Sequence, residues 1–234
     1  MKKGIVVILL GFLASCMGPK NLQNRVNSKD YTTPMVYTSP LVKDKSDINV
    51  QVQFENLAEL DELTLVTKDR GYYIPLILLY LWDYDMNITL GDEATNPSIT
   101  SSIETITKTV FERSGRFNVS EDESAAYKAR VILKNVNFNC DYKRFGSAVG
   151  AYANYNESAD KSKGVLEMQL VLEDKNGNVI LDEVFEKENT IGFVGNSESI
   201  TKIKHLAMRN LIENLSLTAE RVAIDMVDEI NSNL

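Results

Sequence analysis

The feature that most constrains the fold is a pair of alternating apolar segments joined by a short polar turn. Apolar residues occupy every second position in residues 165–173, and the alternation resumes in residues 179–188. Asp174 to Asn178 separate the two segments and include the pair Asn176-Gly177. An Asn-Gly pair between two such segments is the strongest short-range signal for a β-hairpin. The sequence therefore predicts two antiparallel strands that each bury one face.

Two other segments have the apolar spacing of amphipathic helices. In the first, Asn96 and Pro97 are suited to cap and begin a helix, and Gly115 is suited to end it. The second follows Ser197, a candidate N-cap, and its apolar stripe predicts a helix of roughly 50 Å. The stripes comprise Ile99, Ile103, Ile106, Val110 and Phe111 in the first helix and Ile200, Ile203, Ala207, Leu211, Leu215, Val222, Met226 and Ile230 in the second.

Further strands are predicted from shorter patterns. Residues 129–141 form one, with Ile132, Val136, Phe138 and Cys140 on one side. Residues 72–82 are nearly all apolar, and the favoured interpretation is one buried central strand bent at Pro75, the alternative being an exposed aromatic patch. Residues 146–164 are rich in Gly, Ala, Ser and Asn, which fits a mobile loop or a long β-hairpin tip.

These elements predict an α+β fold, in which an antiparallel sheet carries two amphipathic helices on one face and the C-terminal helix is long. We expect one such domain over residues 47–234. Residues 17–46 are polar, with Pro34 and Pro40, and show little apolar periodicity. A segment of this kind buries too little surface to offset the entropy of ordering, so residues 16–46 are interpreted as a flexible tether.

The N-terminus has the parts of a bacterial export signal. Lys2 and Lys3 precede an apolar run over residues 5–13, which is too short to span a bilayer because spanning takes roughly 20 apolar residues. The run ends in Leu13-Ala14-Ser15-Cys16, in which small residues stand directly before a cysteine. This motif resembles the lipobox of bacterial lipoproteins.

The lipobox resemblance implies that residues 1–15 are a signal peptide removed before Cys16. It also implies that the Cys16 sulfur carries a diacylglycerol and that the new amino group is acylated, with chains such as palmitate. Met17, and not an aspartate, follows the cysteine, and by the rule known for enterobacterial lipoproteins this resembles sorting to the outer membrane. We expect the domain to face the periplasm from the inner leaflet of that membrane.

The net charge and the two cysteines limit which binding partners and which disulfide bonds we expect. The chain has a formal net charge of −8, and removal of Lys2 and Lys3 with the signal would leave about −10. Because the chain is acidic and lacks a basic cluster, we expect no nucleic-acid partner, and a lipid would hold the protein to the membrane. With Cys16 lipidated, Cys140 has no partner for an intrachain disulfide. We interpret Cys140 as a small buried hydrophobe, the alternative being a reactive thiol or an intermolecular bridge.

The sequence offers little catalytic chemistry. His205 is the only histidine, and no recognisable catalytic motif surrounds it. Zinc sites use clusters of His and Cys, and the pair Asp83 and Asp85 alone is a weak metal signal. We therefore expect a protein that is not an enzyme, has no metal site and has no cofactor apart from the covalent lipid on Cys16.

The order of elements over residues 98–231 resembles a group of small envelope lipoproteins. The group includes YajG-type lipoproteins, auxiliary lipoproteins of ABC-type transport systems and the core domain of the curli-export lipoprotein. The resemblance is carried by the first helix, strands at residues 115–119 and 129–133, the Gly-rich segment, the hairpin at residues 165–180 and the terminal helix. It implies an accessory or assembly component of an envelope transport or secretion complex, with envelope proteins as partners.

Two alternatives remain open at this point. One is a self-assembling secretion-type lipoprotein in which residues 146–164 contribute to a homo-oligomer. The other is a periplasmic lipoprotein that binds a lipid or small ligand, with the aromatic segment as a pocket wall. Tyr80, Trp82 and Tyr152 are the candidate interface residues because they are large aromatic side chains in the two least ordinary segments.

Overall fold

Nine strands and two α-helices follow one another in the described part of the chain. The computed structural model describes residues 47–234 apart from residues 61–63, 75–78, 121, 123, 150–151, 193–194 and 198–199. The predictions for the signal peptide, Cys16 and the tether lie outside the described residues. The strands are β1 (Asn49–Asn56), β2 (Thr64–Ile74), β3 (Leu79–Thr89), β4 (Asn118–Ser120), β5 (Tyr127–Val149), β6 (Tyr152–Ala159), β7 (Ser162–Asp174), β8 (Val179–Ile191) and β9 (Gly195–Ser197). The helices are α1 (Ile99–Ser114) and α2 (Ile200–Asn233).

The predicted α+β class is confirmed: one sheet packs against two helices, and the C-terminal helix is long. The predicted hairpin is β7 and β8, which pair antiparallel on either side of the Asp174–Asn178 turn. One difference concerns β1, which pairs parallel with both β4 and β5. The sheet is therefore mixed, because the chain crosses over between β1 and these two strands.

Strand β5 organises the sheet because it is long enough to take two sets of neighbours. It has 23 residues and, at about 3.3 Å per residue, a length of roughly 75 Å. Residues 127–133 pair with β1 and residues 127–139 with β7, which forms the body of the protein with β4 and β8 at its edges. Residues 139–149 pair with β3, and residues 142–149 with β6. We call β2, β3, residues 139–149 and β6 the arm.

A bulge in β5 changes which residues face the core. The register with β7 shifts between Leu133 and Asn135. Leu133 pairs with Met168 and Val136 pairs with Leu166, so Leu133 and Val136 lie on the same face although they are three residues apart. Ile132 pairs with Gln169 and lies on the other face, so the prediction that grouped Ile132 with Val136 is wrong.

The helices cover one face of the body, and their buried side chains form a single core with the sheet. The N-cap of helix α1 is Ser98, two residues later than the predicted Asn96. The Ser98 Oγ accepts a hydrogen bond from the Ser101 amide at 3.3 Å. The helix ends at Gly115, as predicted, with φ of 63°. Helix α2 has 34 residues, or about 50 Å, and Ser197 ends β9 instead of capping it.

The structure corrects the interpretation of residues 72–82 as one central strand. The described part of this segment belongs to two strands, β2 and β3, and Ile74 pairs with Leu79 across the hairpin. The apolar run is therefore divided between two neighbouring antiparallel strands instead of forming one. Apolar character alone does not show how a run is divided, because that depends on the pairing of the strands.

The described part of residues 146–164 forms the end of a long β-hairpin, which is one of the two forms that the sequence allowed, and not a loop. Gly146 to Val149 complete β5, Tyr152–Ala159 is β6, and β7 begins at Ser162. Val149 pairs with Tyr152 across the end of the hairpin. The small and polar residues of this segment therefore lie in paired strands, and the loop interpretation is wrong for the described residues.

Candidate functional site

The arm is a set of four strands with alternating directions. Strands β2 and β3 have 11 residues each and pair along their whole length. Strand β3 pairs with β5, and β5 pairs with the eight residues of β6, all antiparallel. The far end of the arm is about 33 Å beyond Asn139 along β5, since ten steps separate Asn139 from Val149 at about 3.3 Å each. Helix α2 contacts β6 of the arm as well as strands of the body, so the helices also cover part of the arm.

One row of four residues ends the arm. Ile74 pairs with Leu79, Leu79 with Val149, and Val149 with Tyr152. We call these four the tip row. The side chain of Tyr152 is 86% exposed and that of Val149 is 51% exposed, whereas Leu79 is half-buried. Val149 and Tyr152 of this row therefore meet solvent at the end of the arm.

A third exposed apolar side chain lies on the same face of the arm. Phe145 is 53% exposed and is four residues before Val149 on β5. Alternate residues of a strand share a face, and directly paired residues of neighbouring strands do so as well. Phe145, Val149 and Tyr152 consequently form one exposed apolar patch, which we call the tip patch.

The structure brings the predicted interface residues Tyr80, Trp82 and Tyr152 into the arm, but it does not group them. Tyr152 lies in the tip patch. Tyr80 pairs with Ala148 and therefore belongs to the opposite face from Val149. Trp82 lies in register between Gly71 and Gly146, and its side chain is outside the described residues. Of the three candidates, only Tyr152 contributes to the exposed patch.

Phe145 and Val149 were not identified as interface candidates from the sequence, although their spacing indicated one face of a strand. Phe145, Ser147 and Val149 occupy alternate positions, which is typical of one face of a strand. The intervening Gly146 and Ala148 are small, and they made the segment look like a loop. The pairing of this segment on both sides, with β3 and with β6, holds it as a strand.

Tyr80 has a packing role in the arm. Its ring lies over Gly71 on the neighbouring strand, so that a Cβ added at Gly71 would stand 2.6 Å from the Tyr80 Oη. A larger residue at position 71 would displace the ring. Gly71 therefore provides the space that the half-buried Tyr80 occupies, and the aromatic side chain covers a strand position that has no side chain of its own.

Cys140 lies where the arm leaves the body. The thiol is 1% exposed and donates a hydrogen bond to the Asp160 carbonyl at 3.1 Å. Burial raises its pKa to about 12, and the negative charges of Asp141 and Asp160 act in the same direction. Because the thiolate is the reactive form, Cys140 is protonated and unreactive at neutral pH. This agrees with the interpretation of Cys140 as a buried hydrophobe.

A buried polar network lies at the same junction. Asn214 of α2 is fully buried, and its Nδ2 donates to the carbonyl and the Oγ of Ser162 and to the Asn189 carbonyl at 3.1 to 3.2 Å. The Asn214 Oδ1 accepts from the Asn189 Nδ2 at 3.0 Å and from the Thr218 hydroxyl at 3.2 Å. These bonds join the helix to the start of β7 and the end of β8.

The arrangement of acidic residues in the described ranges shows no metal centre. No group of three or more His, Cys, Asp or Glu side chains there could hold a metal ion. Asp83 and Asp85 share one face of β3, where Asp85 pairs with Lys143 and Asp83 pairs with Phe145. No helix in the described part of the chain combines the length and apolar character needed to cross a membrane.

Comparison with known proteins yields only weak structural likeness. No protein-family profile matches the chain, and no curated protein sequence matches it. The crystal structure of protein XCC0632 from Xanthomonas campestris, assigned to the family DUF330, aligns with 88% of this chain and 97% of its own length. The identity is 13% and the TM-score is 0.39. A likeness at this level carries no inference about function.

Proposed function

We propose that this protein is a non-catalytic cell-envelope lipoprotein that acts as an accessory or assembly component of an envelope transport or secretion complex. Cys16 carries the lipid, residues 16–46 are the tether, and the arm contacts the partner protein. The lipobox Leu13-Ala14-Ser15-Cys16 supports the anchor. The observation that carries the role is the exposed tip patch at the end of a long arm.

The tip patch has the composition of a protein-binding surface. Phe145, Val149 and Tyr152 are each more than half exposed, and two of the three are aromatic. Aromatic side chains are enriched at interfaces because they bury a large area at a small loss of conformational entropy. Single exposed apolar residues are ordinary on a surface, but several on one face mark a site that meets a partner.

The position of the tip patch suits a protein that works at a distance from its anchor. The arm holds the patch about 33 Å beyond Asn139, away from the acidic body. A lipid would localise the chain at the outer membrane, and the tether would give the domain reach into the periplasm. The partner is then an envelope protein that presents an apolar surface to the tip patch.

Crosslinking in living cells, followed by purification and mass spectrometry, tests this role. Four forms are compared: the native chain, Cys16→Ser, Val149→Ser and Val184→Ser. Val184 is the matched control, because it is also an exposed valine of a strand, at 52%, but lies on β8 of the body. We expect the native chain and Val184→Ser to recover the same transport or secretion subunits.

Cys16→Ser tests the lipid anchor, and Val149→Ser tests the contact between the tip patch and the partner. Cys16→Ser is expected to lose the subunits because the chain no longer reaches the membrane, and Val149→Ser because a polar group enters the apolar contact. Equal recovery with Val149→Ser and Val184→Ser would rule out the tip patch as the contact. Recovery of no envelope subunit with the native chain would contradict the accessory role itself.

A further inference from the structure

Strand β8 is an open edge of the body within the described part of the chain. It pairs with β7 along its length, and no other described strand pairs with it. An open edge presents a row of backbone donors and acceptors that readily pair with another strand. Three large apolar side chains of β8, Val179, Ile180 and Val184, are also exposed. Strand β8 therefore offers both backbone groups and apolar surface to one more strand.

The face of β8 that points away from the helices is acidic. Residues of a strand alternate between two faces, and Phe185 packs against the core. Asp182, Glu186 and Glu188 consequently lie on the other face. Glu186 is directly opposite Glu167 of β7, and like charges in that position destabilise the pair.

The lysine of β8 does not neutralise these carboxylates. Lys187 lies on the core side of the strand, where its Nζ is 2.6 Å from the Asp225 carboxylate of α2. A cation supplied from outside the strand would lower the repulsion between Glu186 and Glu167. The edge therefore favours an added strand that basic residues accompany.

The tether is basic, whereas the domain that follows it is acidic. Residues 47–234 contain 18 of the 25 basic and 31 of the 33 acidic residues, a formal charge of −13. Residues 16–46 have a formal charge of +3. Their charged residues are Lys20, Arg25, Lys29, Asp30, Lys43, Asp44 and Lys45. Opposite charges on the two parts of one chain favour a contact between them.

Residues 35–39 are the part of the tether best suited to pair with an edge. They read Met-Val-Tyr-Thr-Ser, and Val, Tyr and Thr are enriched in strands. Pro34 and Pro40 stand on either side of them. Because proline has no amide hydrogen for a sheet ladder, a strand between two prolines is short and suits the edge of a sheet.

The chain before β1 is long enough for these residues to reach β8. The pairing of β1, β5, β7 and β8 places Asn49, the first residue of β1, at the end of the body where β8 begins with Val179. A strand added beyond β8 would lie four strand spacings from β1, or about 19 Å. The ten residue steps from Ser39 to Asn49 span up to about 33 Å.

We propose that residues 35–39 bind the open edge of β8 in the same chain, as an added strand antiparallel to β8. The chain would then run along β8 from the arm side and cross to β1 at the end where β8 begins. In this direction Arg25 and Lys29 lie toward the part of β8 that carries Glu186 and Glu188. Residues 17–34 alone would separate Cys16 from the body, so the domain is held closer to its anchor.

Other occupants and other edges fit less well. A second copy could bring the same residues, but the covalent link keeps the chain's own segment at a high local concentration. Strand β4, the other edge of the body, has only three residues and no charged side chain. Strand β2, at the edge of the arm, has a formal charge of +1 and would repel a basic segment.

Disulfide trapping within the purified full chain tests the proposal. Val184→Cys places a thiol on β8, and it is combined with either Val36→Cys or Tyr37→Cys. Neighbouring residues of a strand point to opposite faces, so one of the two double variants should form the internal disulfide several-fold more than the other. Intact mass and non-reducing gel mobility measure it, and Val184→Cys alone controls for Cys16 and Cys140.

Ser120→Cys on β4 is the matched control for position. Ser120 pairs with Gln51, two residues after the start of β1, and so lies closer than Val184 to the point where the described chain begins. A segment without a preferred site would react there at least as readily as on β8. We expect several-fold less trapping with Ser120→Cys than with Val184→Cys.

Replacing both Glu186 and Glu188 by glutamine tests the charge contribution. At low salt the trapped fraction should fall several-fold, because two carboxylates that attract Arg25 and Lys29 are removed. An unchanged fraction would overturn the argument by which the tether was chosen as the occupant.

Two further results would overturn the proposal. One is equal trapping with Val184→Cys and Ser120→Cys, or no internal disulfide in either double variant. The other is a disulfide dimer from mixed single variants, which would assign the edge to a second copy. These assays need neither lipid nor partner, so their outcome is independent of the accessory role. Val184→Ser keeps both the lipid and the tip patch and remains a valid control in cells.

Discussion

Asn214 joins the C-terminal helix to the first residue of β7: its Nδ2 donates to both the carbonyl and the Oγ of Ser162 at 3.1 Å. Ser162 is fully buried and lies two residues after Asp160, where the chain returns from the arm to the body. The helix therefore fixes the point at which the hairpin of β5 and β6 enters the core.

Replacing Asn214 by leucine should lower the free energy of unfolding by about 3 kcal/mol, because buried groups of Ser162 and Asn189 lose their partners. Asn210 is the matched control, one turn earlier on α2. It is also buried, but neither side-chain polar atom has a hydrogen-bond partner among the described residues. Asn210→Leu should leave stability unchanged or raise it by about 1 kcal/mol. Urea denaturation of both variants checks this, and equal losses would contradict the network's role.

Gly164 cannot carry a side chain without moving Phe138. A Cβ at position 164 would overlap the ring of Phe138, which is fully buried and pairs with Gly164 across the strands. Overpacking of this kind lowers stability by about 1–3 kcal/mol, and we expect Gly164→Ala to do so. Lys163→Ala, at the exposed neighbouring position, should change stability by less than about 0.5 kcal/mol. Thermal unfolding compares the two, and an unchanged Gly164→Ala would show that the ring has room to move.

Cys140 should make the fold sensitive to alkaline pH. Its pKa is raised from 9.0 to about 12 by burial, so the folded chain keeps a proton that the unfolded chain loses. The contribution is fully present below pH 9.0 and is lost as pH rises toward 12. Between about pH 8 and about pH 10.5, the native chain should therefore lose more stability than Cys140→Ala does. Parallel losses in the two chains would show that the thiol does not contribute.

The tip patch should be dispensable for folding. Val149 is half exposed at the end of β5, whereas Val131 on the same strand is fully buried. Val149→Ser should change the free energy of unfolding by less than about 0.5 kcal/mol. Val131→Ser should lower it by about 2 kcal/mol or more, because two buried methyl groups are lost and one hydroxyl is placed in the core. Chemical denaturation gives both values. A large loss of stability with Val149→Ser would contradict the prediction, and the loss of partner recovery in that variant could then result from unfolding.

The parts of the fold that the sequence predicted well are those with a local signal. The hairpin of β7 and β8 follows from two alternating segments and the Asn176-Gly177 turn, and both helices follow from their apolar stripes. The cap of α1 was misplaced by two residues because Asn96 and Ser98 have similar capping chemistry. Only the packed structure selects Ser98.

The parts that the sequence did not predict depend on pairing between distant residues. The bulge near Lys134 places Ile132 on the opposite face from Val136, and the apolar pattern of a single strand does not predict a bulge. Gly146 and Ala148 belong to a strand because β3 and β6 pair on either side of them. For the same reason Tyr152 was identified as an interface candidate from its type alone, while Phe145 and Val149 were not.

The central claim is that a lipid on Cys16 holds this arm-bearing domain at a membrane. The intact mass of the chain purified from membranes tests it most directly. Our account predicts a mature chain that begins at Cys16 and carries added mass from a diacylglycerol and an acyl chain, and that Cys16→Ser lacks this mass. A chain that retains Met1, or one that begins elsewhere without lipid, would contradict the account.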